Sequence, residues 1–322
     1  MGRKFNRKII LLLVLGLVFF FKGAEVYGAG FPQKPVRIIV NFPAGSAIDL
    51  EARGIAPYLE KHLGVRIIIE NLPGADGKIG LIKAWKAKPD GYTLVMHTAS
   101  MSILVEKLTN PEYRIIDFSH ISPLSRTNSV LVVNAEKWKT FDEFLLAARK
   151  GTLSAGLPGI GSTSQLNGLI LTDGLGIKVN WVPFGGSPEA LTSLAGKHID
   201  LCISGSNVVL PLVKSGRLRP LLALTDNKDM IFPNIPLAKE VGYDFNFVST
   251  IRGVDGPPRI PAEVINVIEK AFAKAVKEPN FLAWTRDRML EVFTLNPKAY
   301  TKLIESQQKE AEKYKEAFKV GK

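Results

Sequence analysis

Cysteine is almost absent from this chain. Cys202 is the only one, so no intrachain disulfide can form, and its apolar setting (IDLCIS) reads as a small core residue rather than a nucleophile. The four histidines (His62, His97, His120, His198) fall in four separate segments, and none forms a metal-ligand pair such as HxxxH. No zinc or iron site is indicated. A GxxxxGK[ST] loop is missing, Gly156, Gly159 and Gly161 stand in the wrong order for GxGxxG, and Gly159-Ile160-Gly161-Ser162 lacks the GxSxG elbow. These absences argue against nucleotide cofactors and a serine hydrolase, and no cofactor is expected. No low-complexity tract or long Pro/Gly/Ser linker occurs. The basic residues are scattered without an aromatic-interleaved stripe, so nucleic acid is not an expected partner.

What is present begins with an unusual leader. Arg3, Lys4, Arg7 and Lys8 precede an apolar run from Ile9 to Phe21, and Gly28, Ala29 and Gly30 supply small residues for cleavage. The apolar run is shorter than the ~20 residues a spanning helix needs, so residues 1–28 read as a secretory signal, with an uncleaved anchor as the alternative. The leader has no cysteine for a lipid anchor. Its removal would take away five cations and one anion, reducing the net charge from +12 to +8. The expected location is the periplasm, and the protein there stays basic.

At 322 residues the chain exceeds the usual size of a single core, so two domains are expected. Strand and helix patterns alternate throughout, the signature of an α/β architecture with largely parallel sheets. The first block has strands at Val36 to Asn41, Arg66 to Glu70 and Tyr92 to His97, with helices at Ser46 to Leu63 and Gly77 to Lys86. The second begins near Val130 and continues through a strand at Leu218 to Leu224. An extended run from Phe245 to Val254 and three helices follow, from Pro261 to Lys277, Pro279 to Met289 and Pro297 to Phe318. Because no linker separates the blocks, crossing strands are expected to join them, at Ser122 to Asn128 and Phe247 to Arg252.

Twice a β-rich run breaks at a glycine and restarts as a helix at Gly-Ser, once at Gly45-Ser46 and again at Gly161-Ser162. Each serine can cap its helix, with Asp49 or Gln165 reaching back, while free N–H groups face an anion. Either turn alone is equally well a simple capping box. Asp49 suits a helix N-terminus but would repel an anion close to it, so it would face an amino group, a protonated acid or a water. Further candidates lie where strands end: Thr98 and Ser100, then Gly185, Gly186 and Ser187, then Ser204, Ser206 and Asn207. Arg252 is either a direct ligand contact or an exposed residue beside a crossing strand.

The combination of segments resembles a known family. Glu70-Asn71-Leu72-Pro73-Gly74-Ala75-Asp76-Gly77, followed by Lys88-Pro89-Asp90-Gly91-Tyr92-Thr93-Leu94, is similar to the substrate-binding proteins of tripartite tricarboxylate transporters, the Bug receptors. The Phe42-Pro43-Ala44-Gly45 turn, Pro158 to Ser162, Val182 to Ser187, Gly196 to Asp200 and Gly216 to Leu221 extend the likeness over nearly the whole chain after the leader. The resemblance implies a type II-like, two-lobed "Venus flytrap" α/β receptor, each lobe a mostly parallel sheet flanked by helices. Residues 31–128 and 248–322 would form one lobe and 129–247 the other. It further implies a non-catalytic, monomeric protein that delivers a small carboxylate to a two-subunit integral membrane permease.

By that likeness the ligand is held by main-chain N–H groups, hydroxyls and waters. Phe42, Gly45, Ser46, Ala47 and Asp49 would act from one lobe, and Gly161, Ser162, Thr163 and Ser164 from the other, with Thr98, Ser100, Gly185, Ser204 and Asn207 as further contacts. Three departures stand out. Ala-Gly-Ser replaces the family's usual Pro-Gly-Gly, Gln165 stands where histidine is common, and Thr250-Ile251-Arg252 lacks a frequent tryptophan. The alternatives are an α/β enzyme acting on a small acid and a sensory module that presents ligand to a membrane-bound kinase.

Overall fold

The computed structural model describes residues 30–319 apart from Pro158 and Ile160, so the expected signal segment lies outside the described residues. Two sheets carry the fold. The first takes β1 (Val36–Val40), β2 (Ile67–Asn71), β3 (Thr93–Thr98), β4 (Ser119–Thr127), β10 (Thr250–Gly256) and β11 (Glu291–Val292), in the order β11-β4-β10-β3-β1-β2. The second holds β5 (Ser129–Asn134), β6 (Leu153–Leu157), β7 (Val179–Pro183), β8 (Leu201–Gly205) and β9 (Leu218–Leu224), in the order β7-β6-β8-β5-β9. β1 (VRIIV) and β5 (SVLVVN) are almost entirely buried, as strands covered on both faces must be.

Both sheets are mixed, a correction to the expectation of mostly parallel ones. In the first, β1 pairs in parallel with β2 and β3, but β10 runs antiparallel to β3 and β4, and β11 antiparallel to β4. In the second, β6 is parallel to β7 and β8, whereas β5 is antiparallel to β8 and β9. The cause is the crossing itself. β5 enters its sheet directly from β4 through Asn128, without a crossover helix to set a parallel direction. β10 brings the chain back and lies against the strand that left. Ser249 Oγ donates to Asn128 Oδ1 at 3.0 Å, linking the two crossing segments.

The helices are α1 (Ala47–Leu63), α2 (Lys78–Trp85), α3 (Ala99–Thr109), α4 (Phe141–Ala148), α5 (Thr163–Leu175), α6 (Ser187–Ala195), α7 (Ser206–Lys214), α8 (Ala262–Ala275), α9 (Pro279–Asp287) and α10 (Pro297–Tyr314). Helix α1 continues through Gly54 and Pro57, and Gly64 ends it in the left-handed conformation with its N–H on Glu60 O. Thr140 caps α4 by accepting from Glu143 N–H, while Glu143 accepts from Lys139 N–H rather than from Thr140. Helix α3 was not expected from sequence. It starts at Ala99, directly after Thr98, the last residue of β3, and is buried nearly all round, so it has neither a punctuating turn nor an amphipathic period.

Apolar side chains of β1, β3 and β4 pack beneath α1, α8 and α9, and those of β5 and β8 beneath α6 and α7. A third core takes in residues of both sheets, Ile39 and Val95 from the first and Leu131 and Ile203 from the second, together with α3, α5 and α10. Asn167 on α5 ties this body to the returning chain. Its Nδ2 donates to Val248 O and its Oδ1 accepts from Val248 N–H, both at 2.8 Å. Among the described residues no helix is long and apolar enough to cross a membrane.

Candidate functional site

A cleft of about 290 Å³ opens where the starts of four helices meet. The loop after β1 and the first turn of α1 supply Phe42, Ser46, Ala47 and Ile48, and the β3–α3 junction supplies Thr98 and Met101. The start of α5 gives Ser162, Thr163 and Ser164, the start of α6 gives Ser187, and β10 gives Thr250 and Arg252. Larger hollows lie elsewhere, of about 650 Å³ beside Lys34 and Lys83 and about 610 Å³ beside Met230 and Met289. Neither has converging helix N-termini.

The two Gly-Ser turns share one backbone device. Gly45 N–H donates to Asp49 Oδ2 and Gly161 N–H to Gln165 Oε1, each at 2.8 Å. Both glycines have positive φ, +81° and +74°, which an L side chain adopts only under strain. A related bond joins Gly185 N–H to Glu189 Oε2 at 2.8 Å, at the entry to α6. The device turns each chain into its helix so that the next N–H groups, those of Ala47 and Ile48 or of Thr163 and Ser164, point free along the helix axis. Helix N-termini leave such donors unpaired and carry a partial positive charge, which favours an anion.

The serines differ. Ser162 Oγ accepts from Gln165 N–H at 3.1 Å and is a true cap. Ser46 occupies the N-cap position with extended backbone, but its hydroxyl makes no capping bond; Oγ is buried and has no partner among the described residues. The expected cap at Ser46 is therefore corrected. Asp49 has taken over the turn, which leaves the hydroxyl on the cleft wall for something else.

Asp49 itself is spent. It is 2% exposed and accepts from Gly45 N–H, Arg53 Nε and Asn71 Nδ2. Burial alone would raise its pKa, yet these bonds outweigh it and hold the carboxyl below its ordinary value. Its charge is thus turned away from the cleft, which removes the conflict with an anion there.

Of the fourteen residues expected from sequence, Phe42, Ser46, Ala47, Thr98, Ser162, Thr163 and Ser164 line the cleft. Gly45, Asp49 and Gly161 shape its turns, and Ser100 lies behind it, accepting from Thr163 Oγ1 at 3.2 Å. Gly185 is exposed at the α6 entry. Ser204 is fully buried in β8 and Asn207 sits in the first turn of α7, and neither lies on the cleft wall. Ile48, Met101 and Thr250 also line the cleft and were not among the residues expected from sequence, Met101 because α3 was not expected.

Arg252 is not an exposed residue beside the crossing strand. Its side chain is 14% exposed, and Nη1 lies 3.1 Å from Glu51 Oε1, whose side chain is 2% exposed. The other Glu51 oxygen accepts from Ser125 Oγ at 2.5 Å. Burial raises the Glu51 pKa, opposed by Arg252 and the Ser125 bond. Among the described residues no three His, Cys, Asp or Glu side chains converge as a metal site would require.

The sequence matches the tripartite tricarboxylate transporter family receptor over residues 51–319. The chain belongs to that family. Among its relatives is BugT of Bordetella pertussis, 29% identical over 275 residues that span 83% of this chain and 84% of BugT. A TctC solute-binding protein from Polaromonas superposes with a TM-score of 0.83 at 28% identity, covering 88% of this chain and 98% of that one. MatC from Rhodopseudomonas palustris, solved with bound malate, shares the fold at 24% identity and a TM-score of 0.67, covering 88% of this chain and 100% of that one. Family members of this kind are solute-binding receptors, not enzymes.

Proposed function

We propose that this protein is a periplasmic receptor that captures a small carboxylate in the cleft and hands it to a two-subunit membrane permease. Residues 31–128 and 248–322 would move as one lobe and 129–247 as the other, closing about the crossing segments at Asn128 and Ser249. The observation that carries the reading is the meeting of two helix N-termini, α1 and α5, on one cleft whose Ser46 hydroxyl has no protein partner. At about 290 Å³ the space lies just below the usual range of ligand pockets, roughly 300–1,000 Å³, in keeping with a small ligand. Family membership supports a receptor role, and the malate-bound relative supports a small acid as ligand.

Main-chain N–H groups and hydroxyls suffice for a carboxylate because hydrogen bonds to a charged acceptor are roughly twice as strong as neutral ones. Contacts from both lobes would stabilise the closed form only by the ligand's differential affinity for it. Native mass spectrometry of protein purified from its own host, followed by a thermal-shift panel of mono-, di- and tricarboxylates and amino acids, tests this. A cognate acid at 100 times its Kd is expected to add about 2.7 kcal/mol of stability. A panel in which no acid shifts the transition, or a protein that consumes an acid without a membrane partner, would sink the reading.

A further inference from the structure

We propose that the hollow of about 650 Å³ at the far end of the first sheet is a second binding site, for a phosphate monoester, whose phosphoryl group meets a group of cations and whose apolar body lies against Ile79, Ile82 and Tyr92. Five cations line it, Lys34, Arg37, Lys83, Lys86 and Lys88, against one acid, Asp90. In sequence they fall in separate stretches; the fold gathers them. Lys34 and Arg37 arrive with β1, Lys83 and Lys86 with the last turn and C-cap of α2, and Lys88 with the loop that leads into β3. All five are exposed.

The protein's own carboxylates leave much of this charge unanswered. Arg37 Nη1 lies 3.1 Å from Glu70 Oε2 and Lys86 Nζ lies 2.7 Å from Glu112 Oε2, both pairs open to solvent and correspondingly weak. Lys34, Lys83 and Lys88 have no carboxylate partner among the described residues; Lys34 Nζ sits instead 4.3 Å from the centroid of the Tyr92 ring. Asp90 is occupied, since its Oδ1 accepts from Tyr92 N–H. The α2 macrodipole accounts for Lys83 and Lys86 at its C-terminal end. It does not account for Lys34, Arg37 and Lys88, which other segments bring to the same hollow. Like charges collected on one concave surface repel one another and focus their field on an incoming anion.

The class of ligand follows from this mix. A carboxylate spreads a single charge over its oxygens, whereas a phosphoryl monoester carries about −1.5 to −2 charges at neutral pH and three strong acceptor oxygens, so it can answer several ammonium groups at once. Ile79 is 52% exposed and, with Ile82 and the Tyr92 ring, gives the hollow an apolar wall that inorganic phosphate would leave unused. Two kinds of molecule join a phosphate monoester to an apolar body: a soluble ester, and the headgroup of phosphatidic acid in a bilayer. β1 and β3 run in parallel from this hollow towards the cleft, so the two sites lie at opposite ends of the same strands and should bind independently.

The test has two arms, both at physiological ionic strength: calorimetric titration with phenyl phosphate, and flotation on phosphatidylcholine vesicles with and without phosphatidic acid. Wild type is expected to bind the ester, to float with the acidic vesicles in preference to the neutral ones, or to do both. Binding of the ester alone assigns a soluble ligand, and flotation alone a lipid headgroup. In whichever arm binds, Lys83→Gln combined with Lys88→Gln should weaken binding by about tenfold or more. Lys298→Gln combined with Lys302→Gln removes the same charge from exposed lysines of α10 outside the hollow and should stay within about twofold. Ile79→Ser leaves the charge unchanged and should still weaken binding by about threefold or more. All these positions are exposed, so the variants should keep the wild-type unfolding temperature. Failure to bind the ester together with no preference for acidic vesicles, equal weakening by the two lysine pairs, or an unchanged Ile79→Ser overturns the site. None of these outcomes touches the carboxylate-receptor reading, which stands or falls on the acid panel.

Discussion

The N–H of Gly45 donates to the carboxylate of Asp49 at 2.8 Å, and through that bond an acidic residue at a helix N-terminus becomes part of an anion-compatible site. Asp49 is neutralised by Arg53 and fixed by Asn71, so its charge holds the turn and is not presented to the cleft. Asp49→Ala removes a charged acceptor from three donors and is expected to cost about 1.5–3 kcal/mol in urea unfolding. Asp49→Asn keeps an acceptor for Gly45, as Gln165 does for Gly161, and should cost less. The carboxyl is held below its ordinary value, so its contribution is present above about pH 3.9 and is lost as the pH falls through its lower folded value. The difference between wild type and Asp49→Asn should therefore shrink in acid; a gap that stays constant down to pH 2 would refute the assignment.

The two serines should respond oppositely in stability. Ser162 caps α5, and Ser162→Ala is expected to cost about 0.5–2 kcal/mol of folding stability. Ser46 Oγ is buried without a partner, so Ser46→Ala relieves an unsatisfied group and should leave stability unchanged or slightly higher. Ligand affinity should fall in both. Denaturation midpoints measured without ligand, beside titration with the identified acid, separate the two effects. Equal destabilisation by both changes would show that Ser46 is a cap after all.

How much of this was legible in the sequence follows from where the information sits. The β1 run and the glycine that ends α1 are local signals, and these elements stand within a residue or two of expectation. The crossing at Asn128 could be inferred from the lack of a linker. Helix α3 could not be read, since Ala99 follows β3 without a turn and tertiary packing covers most of its surface. The mixed strand directions depend on how β5 and β10 enter their sheets, which no periodicity records. Likewise the orphaned Ser46 hydroxyl and the burial of Arg252 depend on partners far along the chain or on which of two local acceptors wins. Ser46 lost its capping role to Asp49, and Arg252 gained burial from Glu51 on another element.

Asp255 lies fully buried between two histidines, 2.7 Å from His97 Nε2 and 3.1 Å from His120 Nδ1, and this cluster predicts a pH optimum for stability. Burial would raise the Asp255 pKa, but both histidines outweigh it and hold the carboxyl well below its ordinary value. For His120 burial favours the neutral ring, yet Asp255, the Ile116 backbone and Glu305 together raise its pKa. Tyr300 packs edge-on against His120, and its phenol is pushed up by burial and by Asp255, so it stays neutral. The signs combine simply. The Asp255 contribution is lost as acid protonates it below about pH 3.9, and the His120 contribution is complete below about pH 6.5 and lost as pH rises through the higher folded value. Stability from this cluster should be greatest between those limits. Urea unfolding from pH 4 to 9 should show wild type weakening at the alkaline end and His120→Gln showing less of that slope. Parallel profiles for the two proteins would exclude the cluster as the cause.

A glycine inside an exposed helix ordinarily gains about 1 kcal/mol on replacement by alanine, but at Gly54 the sign should reverse. A Cβ built there would lie 2.7 Å from Trp284 Cη2 and 2.8 Å from Cζ2, well inside any real contact. The ring has little room to retreat, because Phe281 stacks on it at 5.8 Å and the Arg288 guanidinium lies 4.5 Å from its centroid. Overpacking of this kind costs about 1–3 kcal/mol, enough to cancel the helix gain and leave Gly54→Ala less stable than wild type. Gly151 is the control, since a Cβ there meets nothing within 4 Å, and Gly151→Ala should be close to neutral. If the clash with Trp284 is the cause, Gly54→Ala made on a Trp284→Ala background should no longer destabilise and should recover the helix gain. Thermal unfolding of the four proteins of that cycle decides it, and additive losses would mean that α1 needs Gly54 for some reason other than the ring.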